Sequence, residues 1–234
     1  MKRFVMFAVC MILGVTMAAC AGAGGFSNEK IRYKMTVTVE TPEGIKTGSA
    51  VREAGRYTEP SILPDQGGTM YNITKGEAVV VDLGQRGVLF ALLGGEDEAR
   101  TVFKSLASKS DQIMESVELT IAQYPKLVSF KDRNAPETIE LVLETEPCAD
   151  TTTGIPRNAT CVKKDRVLEI YGEGVRLKTI MVEKTDDEVQ FGVVKGYLKW
   201  FREPGYSLGL KFFDPANPEP AKYLISDDFQ TRNN

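Results

Sequence analysis

The chain contains no histidine, which restricts the chemistry its motifs can support. Gly205-Tyr206-Ser207-Leu208-Gly209 fits G-x-S-x-G, the turn that presents a nucleophilic serine. That chemistry needs a base to take the hydroxyl proton, and the triad built on this motif uses histidine. With none available, and too little sequence after the motif for further triad members, Ser207 is not assigned a catalytic role. Ser27-Asn28-Glu29-Lys30 and Lys46-Thr47-Gly48 match the serine and KTG motifs of acyl-serine enzymes, but in the wrong setting. The first lies in a linker and the second in a hairpin strand. Two acidic clusters, Asp186-Asp187-Glu188 and Asp227-Asp228, have the side chains for acid–base work or for holding Ca²⁺ through oxygen. Neither has the spacing of a calcium loop, and both read as solvated turns. The glycines at 76, 84, 87, 94 and 95 follow no phosphate-loop order and suit turns.

The cysteines carry more. Cys148 and Cys161 flank the polar run ADTTTGIPRNAT. Two cysteines without histidine cannot complete a common four-ligand zinc site. In an oxidising compartment such a pair closes, and the chain-entropy gain for a loop this size is about 3 kcal/mol. A disulfide between them is expected. Cys20 sits in Met17-Ala18-Ala19-Cys20, which has the form of a lipobox with Met where Leu is usual. Cys20 would then be the first mature residue and carry acyl chains. Each buried CH₂ contributes about 0.8 kcal/mol, so two or three chains anchor stably in a bilayer.

The residues around Cys20 set this context. Met1-Lys2-Arg3 is a short cationic start, and Phe4–Met17 is almost wholly apolar yet too short to span a membrane comfortably. This is the form of an export signal. Cleavage by ordinary signal peptidase after Ala21 or Ala23 is the alternative, leaving a freely soluble exported protein. Ala21-Gly22-Ala23-Gly24-Gly25 has the composition of a flexible tether. Ala21 is not an Asp-type inner-membrane retention signal, which favours the outer membrane.

The full chain is of ordinary globular composition, 42% hydrophobic and 26% charged, with a formal net charge of −3. A mildly acidic chain offers no electrostatic case for nucleic-acid binding. Residues 31–40 alternate Ile31, Tyr33, Met35, Val37 and Val39 with polar neighbours, a strand with one wet face. Pro42-Glu43-Gly44 turns the chain into a second strand over 45–53. Glu77–Leu83 and Val88–Leu93 flank Gly84-Gln85-Arg86-Gly87 and are nearly continuous in apolar residues, which predicts a hairpin of central strands buried on both faces. Residues 96–109 place Ala99, Val102, Phe103 and Leu106 on one helical stripe, with Glu96, Asp97 and Glu98 at the positive end of the dipole. Further strands are expected at 117–122, 127–131, 139–144, 175–183 and 207–213, and 189–201 is open between strand and short helix. The expected class is α+β, β-dominated: antiparallel sheets and hairpins with one clear amphipathic helix.

The segments VTVETPEGIKTGSAVRE, GEAVVVDLGQRGVLFALL, YPKLVSFKD and GVRLKTIMVEKTDDEV resemble an uncharacterised family of proteobacterial extracytoplasmic proteins, with similarity across roughly residues 31–190. The resemblance implies a single β-rich extracytoplasmic domain behind an N-terminal apolar segment. It carries no catalytic or binding residue over, and the 148–161 loop and the chain after Trp200 look like additions to the pattern.

The expected organisation is a signal peptide over 1–19, a lipid-anchored tether over 20–30, one β-rich domain over 31–213 and a proline-punctuated polar tail over 214–234. The expected function is that of a periplasmic lipoprotein in the cell envelope, a binding or structural module. Its partners would be the bilayer, through acylated Cys20, and a protein or small molecule met by its loops. No catalytic, cofactor-binding or metal-binding residue is assigned. The alternative is a small periplasmic hydrolase working with carboxylates alone.

Overall fold

Alternation of apolar and polar residues gives the first strand one dry face, and the core is built on that face. The computed structural model describes residues 27–59, 68–106, 115–149, 156–201 and 226–231, with the backbone alone for 27, 59, 144–149, 156–161, 163 and 226. The signal peptide, Cys20 and the G-x-S-x-G motif therefore lie outside the described residues. β1 runs Ser27–Thr41, taking in four residues that composition assigns to the tether. Tyr33, Met35, Val37 and Val39 are all fully buried. β2, Gly44–Glu59, pairs with β1 along its whole length, from Ser27↔Thr58 to Thr41↔Gly44.

β3 (Gly68–Lys75) adds to the outer side of β2, and β10 (Arg176–Lys184) pairs with β1 on its other side. With the three-residue β6 (Ser116–Glu118), they form an antiparallel sheet in the order β3-β2-β1-β10-β6. The predicted strand at 117–122 is thus mostly replaced by a 3₁₀ turn at Ile121–Gln123, where the Gln123 side chain accepts hydrogen bonds from the Thr120 N–H and hydroxyl at 2.8 and 2.9 Å.

The second antiparallel sheet holds β4 (Val79–Asp82), β5 (Val88–Ala91), β7 (Leu127–Phe130), β8 (Ile139–Ala149) and β9 (Pro156–Asp165), in the order β4-β5-β7-β8-β9. The predicted hairpin is β4–β5. β5 is buried on both faces, but β4 is the outermost strand of its sheet and leaves Asp82 exposed. β9 covers much of what reads in the sequence as a polar loop.

β5 runs apolar without interruption because it serves two cores. Leu89 and Ala91 face the first, between the sheets, together with the inward face of β1 and Ala99, Val102, Phe103 and Leu106 of α1 (Gly95–Leu106). Val88 and Phe90 face the second, on the far side of the same sheet, with Val128, Phe130 and Ile139. That side is covered by α3 (Val193–Tyr197), by Leu198 and Phe201, and by Phe229, which is completely buried. A third helix, α2 (Val167–Tyr171), packs Val167 and Tyr171 into the first core. The ambiguous stretch 189–201 thus resolves as a short helix. The chain end, expected as a polar tail, sends residues 226–231 into the structure.

The sheets come closest where β2 crosses β4. A Cβ on Gly48 would lie 2.0 Å from the Val80 carbonyl oxygen, so only glycine fits.

Candidate functional site

Gly94-Gly95 opens α1, and the two glycines permit an arrangement that other residues would block. Gly95 has φ +58°, in the left-handed region glycine favours. A Cβ on Gly94 would come within 2.8 Å of the Glu98 side chain. With that space clear, Glu98 folds back and accepts the Gly94 N–H on Oε2 at 2.6 Å. Its Oε1 accepts from Arg52 Nη1 of β2 at 2.6 Å and from the Tyr33 hydroxyl of β1.

Arg52 is completely buried, and each of its three side-chain nitrogens has a partner. Nε donates to the Glu77 carbonyl at 3.1 Å, Nη2 to the Ala91 carbonyl of β5 at 2.8 Å, and Nη1 also meets the Met35 sulfur at 3.4 Å. One guanidinium thereby ties both sheets to α1. Burial opposes its charge, but the Glu98 carboxylate and Tyr33 more than offset that and hold its pKa above the ordinary value. Burial, followed by the Glu98 charge, pushes the Tyr33 phenol well up. Cation–π contacts join α1 to β2 and β3: Arg56 lies 5.4 Å from the Phe103 ring centre and Arg100 lies 5.6 Å from that of Tyr71.

Gly94 and Glu98 of this network line a cleft of about 810 Å³, within the size range of small-molecule sites. Asn72 and Ile73 of β3 form one wall, and Leu93–Gly95, Asp97, Glu98 and Thr101 at the start of α1 form the next. The turn Ala122–Lys126 and the chain-end residues Asp227, Asp228 and Thr231 close it. The turn is held by Lys126, whose carbonyl accepts the Leu92 N–H at 2.9 Å. Burial, followed by the Glu118 charge, raises the Tyr124 phenol. The cleft thus offers carboxylates, amides, hydroxyls and one lysine around a patch of Ile73, Leu93 and Pro125. That lining suits a small polar or amphiphilic ligand.

The acidic clusters part company here. Asp227 and Asp228 line the cleft. Asp186 and Asp187 lie beyond β10, where their carbonyls accept from Arg32 at 2.8 and 2.9 Å. The paired serine and KTG motifs separate too. Lys30 pairs with Gly55 and Gly48 with Val37, seven residues apart along β1, about 23 Å. Among the described residues no group of three or more Cys, Asp or Glu could hold a metal ion. Cys148 of β8 and Cys161 of β9 stand on paired strands, where Cys161 faces Glu146, two residues from Cys148, and the register shifts between Pro147 and Ala149.

Sequence places Glu98 in the first turn of a helix and Gly94 in a turn but gives neither a part in a site, and it does not single out Arg52, which holds Glu98 from behind the cleft. Comparison of the chain with protein-family models, with curated proteins and with solved structures gave no match.

Proposed function

We propose that this protein is a lipid-anchored binding module of the bacterial cell envelope, facing the periplasm and taking a small polar ligand in the cleft between α1, β3 and the chain end. The observation that carries the binding reading is the cleft of about 810 Å³, one side of which, Gly94 and Glu98, is fixed by hydrogen bonds to each other and to buried Arg52. A side held in that way is preorganised, which favours affinity.

The lipobox form of Met17–Cys20 supports the anchoring reading. Cys20 precedes β1 by seven residues, a reach of at most about 25 Å. Ile73 of the cleft wall pairs with Ala54, and Ala54 with Ile31, so the cleft lies toward the anchored end of β1. Acylation at Cys20 would hold it close to the bilayer. Labelled palmitate should enter the wild-type chain, and Cys20→Ser should move the protein to the soluble fraction or block its maturation. An unlabelled wild-type chain would remove the anchor and leave the freely soluble exported form.

The carboxylate-hydrolase reading gains one observation, the presence of Asp97, Asp227 and Asp228 along one cleft. A substrate panel separates the two readings: turnover lost in Asp97→Asn favours the enzyme, whereas saturable binding without turnover favours the module.

A further inference from the structure

The edge of a sheet presents a row of backbone N–H and C=O groups, which another extended chain can pair in full. The two sheets have four edges: β3 and β6 in the first, β4 and β9 in the second. Three of them are blunted. β6 is three residues long and β4 four, and β2 crosses β4 at Val80. β9 carries Pro156, Arg157, Lys163 and Lys164, a proline and charges of the kind that discourage pairing. β3, GTMYNITK, has eight residues, no proline and one charge, Lys75 at its end. Its Met70 is 54% exposed, an apolar side chain left open on that strand. Among the described residues β3 pairs with β2 alone.

The chain itself places a strand on this side of the sheet. Residues 76–78 continue the line of β3, and residues 229–231 run antiparallel beside them. Thr231 N–H donates to the Gly76 carbonyl at 2.9 Å, Ala78 N–H donates to the Phe229 carbonyl at 2.7 Å, and Glu77 bridges to Gln230. The Glu77 carbonyl points the other way, accepting Arg52 Nε of β2 at 3.1 Å. Residues 229–231 therefore lie on the side away from β2, which is the side of the open β3 edge.

That strip leads into the cleft. Thr231 lines the cleft, and so do Asn72 and Ile73 of β3, about 10–13 Å along the strand from Gly76. Asp97 and Thr101, one turn apart on α1, and Gln123 supply further wall. An open edge and a cavity thus meet at Asn72 and Ile73.

We propose that the ligand of the cleft is a short extended peptide, which pairs with the outer edge of β3 as an added strand and sends a side chain into the cleft. Backbone hydrogen bonds then supply affinity, and the cleft selects the side chain. This rests on the cleft being a binding site and names what it takes.

NMR on the full-length protein tests it. The probes are a panel of capped tripeptides, acetyl-Thr-Xaa-Thr-amide with Xaa varied across the side-chain classes, and their backbone N-methylated twins. In the free protein, amide exchange along residues 69–73 should alternate, the outer set being about 10-fold or more faster than the set paired with β2. At least one peptide should bind saturably, shift residues 70–73 together with Gly94, Gly95 and Thr101, and slow the outer amides by about 10-fold or more. Its N-methylated twin should bind about 10-fold or more weakly, since each lost N–H leaves an acceptor on the edge unmet. Uniformly slow amides over 69–73 in the free protein would mean that the edge is already filled, and would overturn the proposal. Equal binding of the twins, or a panel without binding, would do the same. The two readings fail separately. If non-peptide compounds shift the cleft while every peptide fails, or a peptide shifts the cleft without residues 70–73, the added strand is wrong and the binding reading stands.

Discussion

Single residues carry the most unusual energetics. Arg52 is a fully buried cation at a β2 position where sequence expects a solvated charge, because its partners Glu98 and Ala91 lie about forty residues away and only the tertiary fold brings them in. Removing one member strands the other. Arg52→Met should lower unfolding stability by about 3–5 kcal/mol in urea titration, and adding Glu98→Leu should recover most of it. Glu43 titrates at the opposite end of the molecule. Its paired hydrogen bonds from Arg86, at 2.8 and 2.9 Å, hold its carboxyl down to about 2. A depressed pKa means the stabilisation is present above the ordinary carboxylate range and lost as pH falls toward 2. An NMR titration should place Glu43 near 2, returning to the ordinary range in Arg86→Leu. Glu77 has the reverse sign: burial raises its carboxyl although three backbone N–H groups oppose the shift. Its contribution is complete below the ordinary carboxylate pKa and falls as pH rises through the raised value, a slope that Glu77→Gln should remove from the pH–stability curve.

Elements were legible where one face decides them. The alternation in β1, the stripe in α1 and the Gly-bounded break between β4 and β5 each fix type and place, since a single buried face sets the period. What sequence could not show was order across the sheets. β4 and β5 look alike as apolar runs, yet β5 is paired on both sides while β4 ends its sheet, a difference made by β7. β9 escaped because Pro156–Asp165 is polar and lies at the outside of its sheet, where no burial pattern is imposed. β2 and β4 meet at Gly48, and Gly48→Ala should push the sheets apart at Val80. That variant should unfold at lower temperature, with a loss of roughly 1–3 kcal/mol by calorimetry. The Cys148–Cys161 bond, a proposal from compartment and spacing, has its own check: alkylation with and without reductant should differ by two cysteines. Equal labelling would leave the β8–β9 ribbon held by its hydrogen bonds alone.

At the scale of the whole molecule, a two-sheet scaffold carries the cleft. The proposed anchor rests on the leader, a local pattern and so legible in sequence. The cleft was not readable, since its walls come from β3, the start of α1, the turn at 122–126 and the chain end, segments joined by no common motif. In sequence Asp227-Asp228 reads as a solvated turn, because nothing there shows that Phe229 is buried in the second core. Binding in the cleft is the central claim, and an NMR-observed screen of small polar and amphiphilic compounds against the full-length protein tests it most directly. The account predicts saturable shifts clustered at Asn72, Gly94, Gly95, Thr101 and Gln123, abolished when Thr101→Trp fills the space. Shifts scattered over the surface, or clustered shifts that survive Thr101→Trp, would contradict it.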